Sequence, residues 1–152
     1  MKALTSGHPS AVALVVAATL FAAALPVYAQ EGTAYTIIVN SSNRVLALSK
    51  RDISDLFLKK NGWSNGRPAA PIDQSFGSLV RVRFSLDIHG RDVKAIRSYW
   101  QQLLYQGKDL PPPTRSSDAE VIDFVSRKGN AVGYVARGTR LSDAVRILSI
   151  RD

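Results

Sequence analysis

The first 29 residues decide how much chain remains to build a core. Lys2 precedes an apolar run over 11–25, which leads into Pro26 and the small-residue site Val27-Tyr28-Ala29. This is the layout of a secretory signal, with cleavage expected before Gln30. The run has 15 residues, short of the ~20 that cross a bilayer, so removal is expected rather than anchoring. Residues 30–152 then form a mature chain of 123 residues, the size of one domain around one core. No later stretch is apolar enough to span a membrane, and no internal repeat or low-complexity tract divides the chain. Cysteine is absent, which excludes disulfides, metal thiolates and a thiol nucleophile. In an oxidising compartment such a chain relies on its core alone.

Within 30–152 the pattern alternates between strand and helix. Tyr35-Thr36-Ile37-Ile38-Val39 is a continuous β-branched run ending at Asn40-Ser41-Ser42-Asn43, which predicts a buried strand. Ser49 with Asp52 resembles a capping box, and Ile53, Leu56 and Phe57 recur at helical spacing, so a helix is expected to run to Lys60-Asn61-Gly62. A turn at Trp63-Ser64-Asn65-Gly66 leads to a second strand over 69–72. Over 80–88 two periods compete. Val80, Phe84 and Ile88 fit a helix capped by Ser78 and ended by His89-Gly90, whereas Val80, Val82, Phe84, Leu86 and Ile88 alternate like a strand. Val93, Ile96, Trp100, Leu103 and Leu104 form a clear helical stripe that Gly107 ends, and it places Trp100 in the core. Pro111-Pro112-Pro113 forms an extended connection. Ser117 with Glu120 caps a further helix, Gly129 stops it, and strands follow at 131–135 and 145–150. The order is α/β, with helices covering a small sheet.

Chemistry is sparse in this composition. Twenty Lys and Arg oppose 12 Asp and Glu, a net charge of +8 that becomes +7 without Lys2. Such a surface attracts anions at long range, and a solubilising role explains it equally well. Gly77-Ser78 followed by Arg81 combines a cap hydroxyl, exposed backbone N–H groups and a guanidinium, the elements that hold a tetrahedral anion without a metal; Ser78 as a plain cap accounts for the same residues. His89 is the only histidine of the mature chain and lies 11 residues from Ser78, about 16 Å along a helix, too far for a proton relay. No carboxylate pair has convincing ligand spacing, and Asp118, Glu120 and Asp123 suit a helix start by themselves. Arg137, Arg140, Arg146 and Arg151 form no nucleic-acid motif, and the export signal argues against that role. No cofactor is implied.

Leu56-Phe57-Leu58, Trp63, Gly66, Pro71 and Gly77-Ser78-Leu79-Val80-Arg81, ending at Phe84, follow an order that resembles the phosphate-type periplasmic substrate-binding proteins of ABC importers. Asn130-Ala131-Val132-Gly133-Tyr134-Val135 is similar to that family's later Gly-x-Ile-Gly-Tyr-Val strand, so the resemblance spans 46–135. It implies a small mixed sheet flanked by helices, a shortened type 2 periplasmic-binding-protein-like fold, and it favours helix over strand at 80–88. It further implies ligand contacts from Ser78 and Arg81 and from Ser41 and Ser42, where the family's first loop supplies hydroxyl and amide ligands. This chain departs from the pattern at four places. Leu79 and Val80 replace Gly and Thr, while Gln74 and Phe76 replace the Arg and Asp that clamp protonated phosphate. The expectation is a non-enzymatic periplasmic protein that binds phosphate, sulfate or a related small oxyanion weakly and serves transport or sensing, with an ABC permease or envelope sensor as partner. The alternative is a basic envelope interaction module that has lost the small ligand.

Overall fold

A computed structural model describes residues 34–151 of the chain, and the expected leader at 1–29 lies outside them. Its centre is a four-stranded mixed sheet in the order β3-β6-β1-β7, from Ala70–Pro71, Ala131–Ala136, Tyr35–Asn40 and Val145–Ile147. β6 runs antiparallel to β1, from Tyr35 opposite Ala136 to Val39 opposite Val132, and β3 runs parallel to β6. Both faces of this sheet are covered, which is why β1 and β6 read as continuous apolar runs. Alternation along each strand divides the core in two. Tyr35, Ile37, Val39, Val132 and Tyr134 face Phe57 of α1 (Lys50–Phe57) and Phe84 of α2 (Leu79–Phe84). Ile38, Ala131 and Val135 face Val121 and Val125 of α4 (Asp118–Arg127). At Gly133 that second layer comes so close that an added Cβ would lie 2.7 Å from Ile72 and 2.8 Å from Val121, so no larger residue fits.

The caps read from the sequence hold their helices. Ser49, Ser78 and Ser117 accept from the backbone N–H of Asp52, Arg81 and Glu120, and Asp92 caps α3 (Val93–Tyr105) in the same way. The competition over 80–88 resolves as helix: α2 continues into a π-helical turn at Ser85–His89 and ends at Gly90 with φ 61°. Arg81, Phe84, Ser85 and Ile88 form its buried face, whereas Val82 and Leu86 of the alternating set are exposed. Trp100 is buried with Leu58 and Ile96, as the stripe predicts.

Three segments differ from the sequence reading. α1 ends at Phe57, because Lys59 takes a left-handed φ of 53°. The strand expected over 69–72 shortens to Ala70–Pro71. The single last strand over 145–150 divides at Leu148 into β7 and β8 (Ser149–Arg151). Leu148 donates to Ile37 O and buries its side chain, after which the chain leaves β1 and pairs in parallel with β2 (Ala47–Ser49). A further parallel pair joins β4 (Asp73–Gln74) to β5 (Thr114–Arg115) beside the start of α2. No helix of the described residues is long and apolar enough to cross a membrane.

Candidate functional site

The turn before α2 is the place where hydroxyl, amides and guanidinium were expected to converge on an anion. In the structure the hydroxyl, the guanidinium and the Ser78 and Arg81 amides all bind within the protein. Ser78 donates its hydroxyl to Gln74 Oε1 at 2.5 Å while accepting from Arg81 N at 3.3 Å. Arg81 is 9 % exposed, and its guanidinium points inward. Nη2 pairs with Asp73 Oδ2 at 2.9 Å and Nη1 donates to Gln74 O at 2.6 Å. Asp73 also accepts from the Tyr134 hydroxyl and from Gln74 N. Gln74 completes the set by donating to Asp118 Oδ1 and Tyr134 O, and Asp118 accepts in turn from Ala136 N and Thr139 Oγ1.

Charge and proton positions in this network follow from burial. Desolvation lifts the Asp73 carboxyl above its ordinary value, against the pull of Arg81 and the hydrogen bonds from Tyr134 and Gln74. Tyr134 is held well above the usual phenol range, first by burial and then by Asp73, and so remains a donor. A guanidinium already paired with a carboxylate in this way offers an anion no net charge.

Ser41 and Ser42 lie at the other end of the sheet. The register puts Asn40 beside the Ala131 end of β6, whereas Gln74 reaches Tyr134 and Asp118 reaches Ala136. Three to five residues of strand, about 10–17 Å, separate the two places. The Ser41-Ser42 turn also does not start a helix, since β2 intervenes before α1. Arg146 explains this path by donating to the Asn43 and Val45 carbonyls, which holds the segment extended. Asn40 donates to the Val125 and Ser126 carbonyls near the end of α4 and accepts from Ser42 N and Oγ. Ser42 also borders a hollow of about 230 Å³ that includes Arg44, Arg67, Asn65 and Asn130 and no carboxylate. Ser41 is exposed, and its N–H donates to Ala144 O.

Two features were not legible in the sequence. Lys50, Arg83 and Arg137 gather with Tyr35 and Asp87 around a hollow of about 340 Å³ on the Ala136 side of the sheet. Asp87 pairs with Arg83 at 3.4 Å, and burial together with Asp87 pushes the Tyr35 phenol up to about 12. The second is His89 Nδ1, which lies 2.8 Å from Ser54 Oγ across 35 residues of sequence, a spacing no motif marks. Among the described residues no carboxylate hydrogen-bonds His89, so the pair lacks the third group of a hydrolytic triad. No group of three metal-ligating side chains is found among the described residues.

Burial, and then Arg81, Lys60 and Arg91, depress His89 from 6.5 to about 4. The unfolded chain therefore takes up this proton first as pH falls. His89 leaves the fold at full stability above about 6.5, and stability declines progressively down to about 4. Urea midpoints measured across that window should fall for the native chain, and the His89 contribution should vanish in His89→Gln.

No protein-family model and no curated protein matches the chain. Solved structures do. An ABC-type phosphate transport receptor from Vibrio cholerae aligns with TM-score 0.59 at 17 % identity over 76 % of this chain and 45 % of its own. A protein of Clostridium perfringens described as a candidate phosphate ABC transporter substrate-binding protein, solved with bound phosphate, gives 0.59 and 17 % over 78 % and 46 %. A protein of Planctomyces limnophilus described as a possible phosphate binding protein gives 0.59 and 14 % over 80 % and 43 %. The chain spans less than half the length of these relatives. It has the fold of a shortened periplasmic-binding-protein-like domain, similar to part of the phosphate-binding proteins of ABC transporters.

Proposed function

We propose that this chain is a non-enzymatic periplasmic interaction module, built on the phosphate-binding fold, whose basic surface engages an anionic partner while the ancestral clamp serves the fold. The observation that carries this reading is the inward pairing of Arg81 with Asp73 at 2.9 Å, together with the bond from Ser78 to Gln74. A clamp that is neutralised and hydrogen-bonded from within would have to break a buried ion pair before gripping phosphate. Cations remain elsewhere on the surface, at Lys50 and Arg137 and at Arg44 and Arg67.

Long-chain polyphosphate is a suitable probe of that surface. Binding should weaken steeply as salt is raised and should persist in the presence of free phosphate. Salt-independent binding, or full displacement by free phosphate, would contradict the module. A second reading, weak binding of phosphate or sulfate in service of an ABC permease or a sensor, is favoured by one observation. The Ser42 hollow brings a hydroxyl, amides and two arginines together without an acid. In that case phosphate protects Arg44 and Arg67 from chemical modification and leaves Arg81 unaffected.

A further inference from the structure

A hollow of about 450 Å³ lies between α3, the turn before α2 and the extended 111–114 segment. That volume falls within the range of small-molecule sites. Arg97, Trp100 and Leu104 come from one face of α3, and Pro111 and Pro112 close the opposite side, with Phe76 of the turn before α2 at one end. The polar groups at its base are Asp73 and Arg81, which cancel each other. Thr114 and Gln101 add neutral hydrogen-bonding groups at the walls. Arg97 is different: it is exposed, its guanidinium carbon lies 5.4 Å from the centre of the Phe76 ring, and no carboxylate pairs with it among the described residues. Phe76 and Leu104 remain 45 % and 54 % exposed, so apolar surface is left at the mouth.

We infer that this cleft binds a small aromatic carboxylate, a flat apolar body carrying a single negative charge. Inorganic phosphate would leave the ring-lined walls unsatisfied, and an organic cation would meet Arg97. A neutral aromatic would forgo the one uncompensated charge. Phe76, Leu104 and Pro111 present exposed apolar surface to a flat body, while Arg97 offers its carboxylate a charge-assisted partner. Trp100 keeps its place in the core against Leu58 and Ile96 and also borders the cleft.

The test uses 2-naphthoate and its uncharged isostere 2-naphthamide, titrated calorimetrically into the purified protein, with the indole N–H signals of Trp63 and Trp100 followed in parallel. The expected result is naphthoate binding at least about tenfold tighter than naphthamide, with the Trp100 signal moving and that of Trp63 unchanged. Arg97→Gln should abolish the preference, and Leu104→Glu should weaken both ligands. Both residues are exposed, and a thermal melt confirms that the variants fold. Failure of naphthoate to bind, equal binding of the two ligands, or an Arg97→Gln protein that keeps the preference would each overturn the inference.

Discussion

Arg81→Ala is expected to destabilise the fold by about 3–5 kcal/mol, measured by urea unfolding, because it leaves the Asp73 carboxyl buried without its countercharge. The Arg81 and Asp73 side chains are only 11 % and 13 % exposed, so water can replace little of what is lost. An arginine held outward for a ligand would behave differently, since its removal would cost binding and leave stability nearly unchanged. Asp73→Asn combined with Arg81→Met removes both charges and should recover more than half of the loss. A stability change below about 1 kcal/mol in Arg81→Ala, the size of an exposed pair, would mean that the ion pair does not hold the turn.

Phe84→Ala is expected to cost a similar amount, about 3–5 kcal/mol, because Phe84 joins the larger half of the core. Its ring stacks on Tyr134 at 3.9 Å with the planes 6° apart, and it meets Phe57 at 4.8 Å and Tyr35 edge-on at 5.4 Å. The loss also removes the face against which Tyr134 is oriented toward Asp73, so the effect should reach the Arg81 network. Phe84→Leu keeps most of the volume and should cost much less. Equal losses for the two variants, by denaturant midpoint at unchanged slope, would indicate that aromatic packing is not the source.

Local rules made the helices and their starts readable, since a cap and an apolar stripe are each written within a few consecutive residues. Ser49, Ser78 and Ser117 are caps for that reason, and Trp100 is core for the same one. Period alone left 80–88 open between helix and strand, and the packing of Phe84 and Ile88 under β1 and β6 settles it. The division of the last strand depends on which neighbour Leu148 meets, and that neighbour, Ile37, is more than a hundred residues away.

At the site the limits were of the same kind. The residues Ser78 and Arg81 stood out, yet what they bind is decided by Asp73 and Gln74, which pass beneath the turn, and by Tyr134 from β6. Likewise Asn40 ties the Ser42 turn to the end of α4, a contact that spans 85 residues. A polar residue's partner is a property of the fold, and the sequence shows only that one is needed.

The most direct test of the central claim is a phosphate titration of ¹⁵N-labelled protein, following the backbone amides of Gly77, Ser78, Leu79 and Arg81 into the millimolar range. A functional oxyanion site at a helix start shifts those amides, because they are the donors. The closed network predicts that they stay in place, and any shifts at Ser42, Asn43 and Arg44 would mark the second reading. A saturable shift centred on Ser78 and Leu79, lost in Arg81→Ala protein that still folds, would contradict the account.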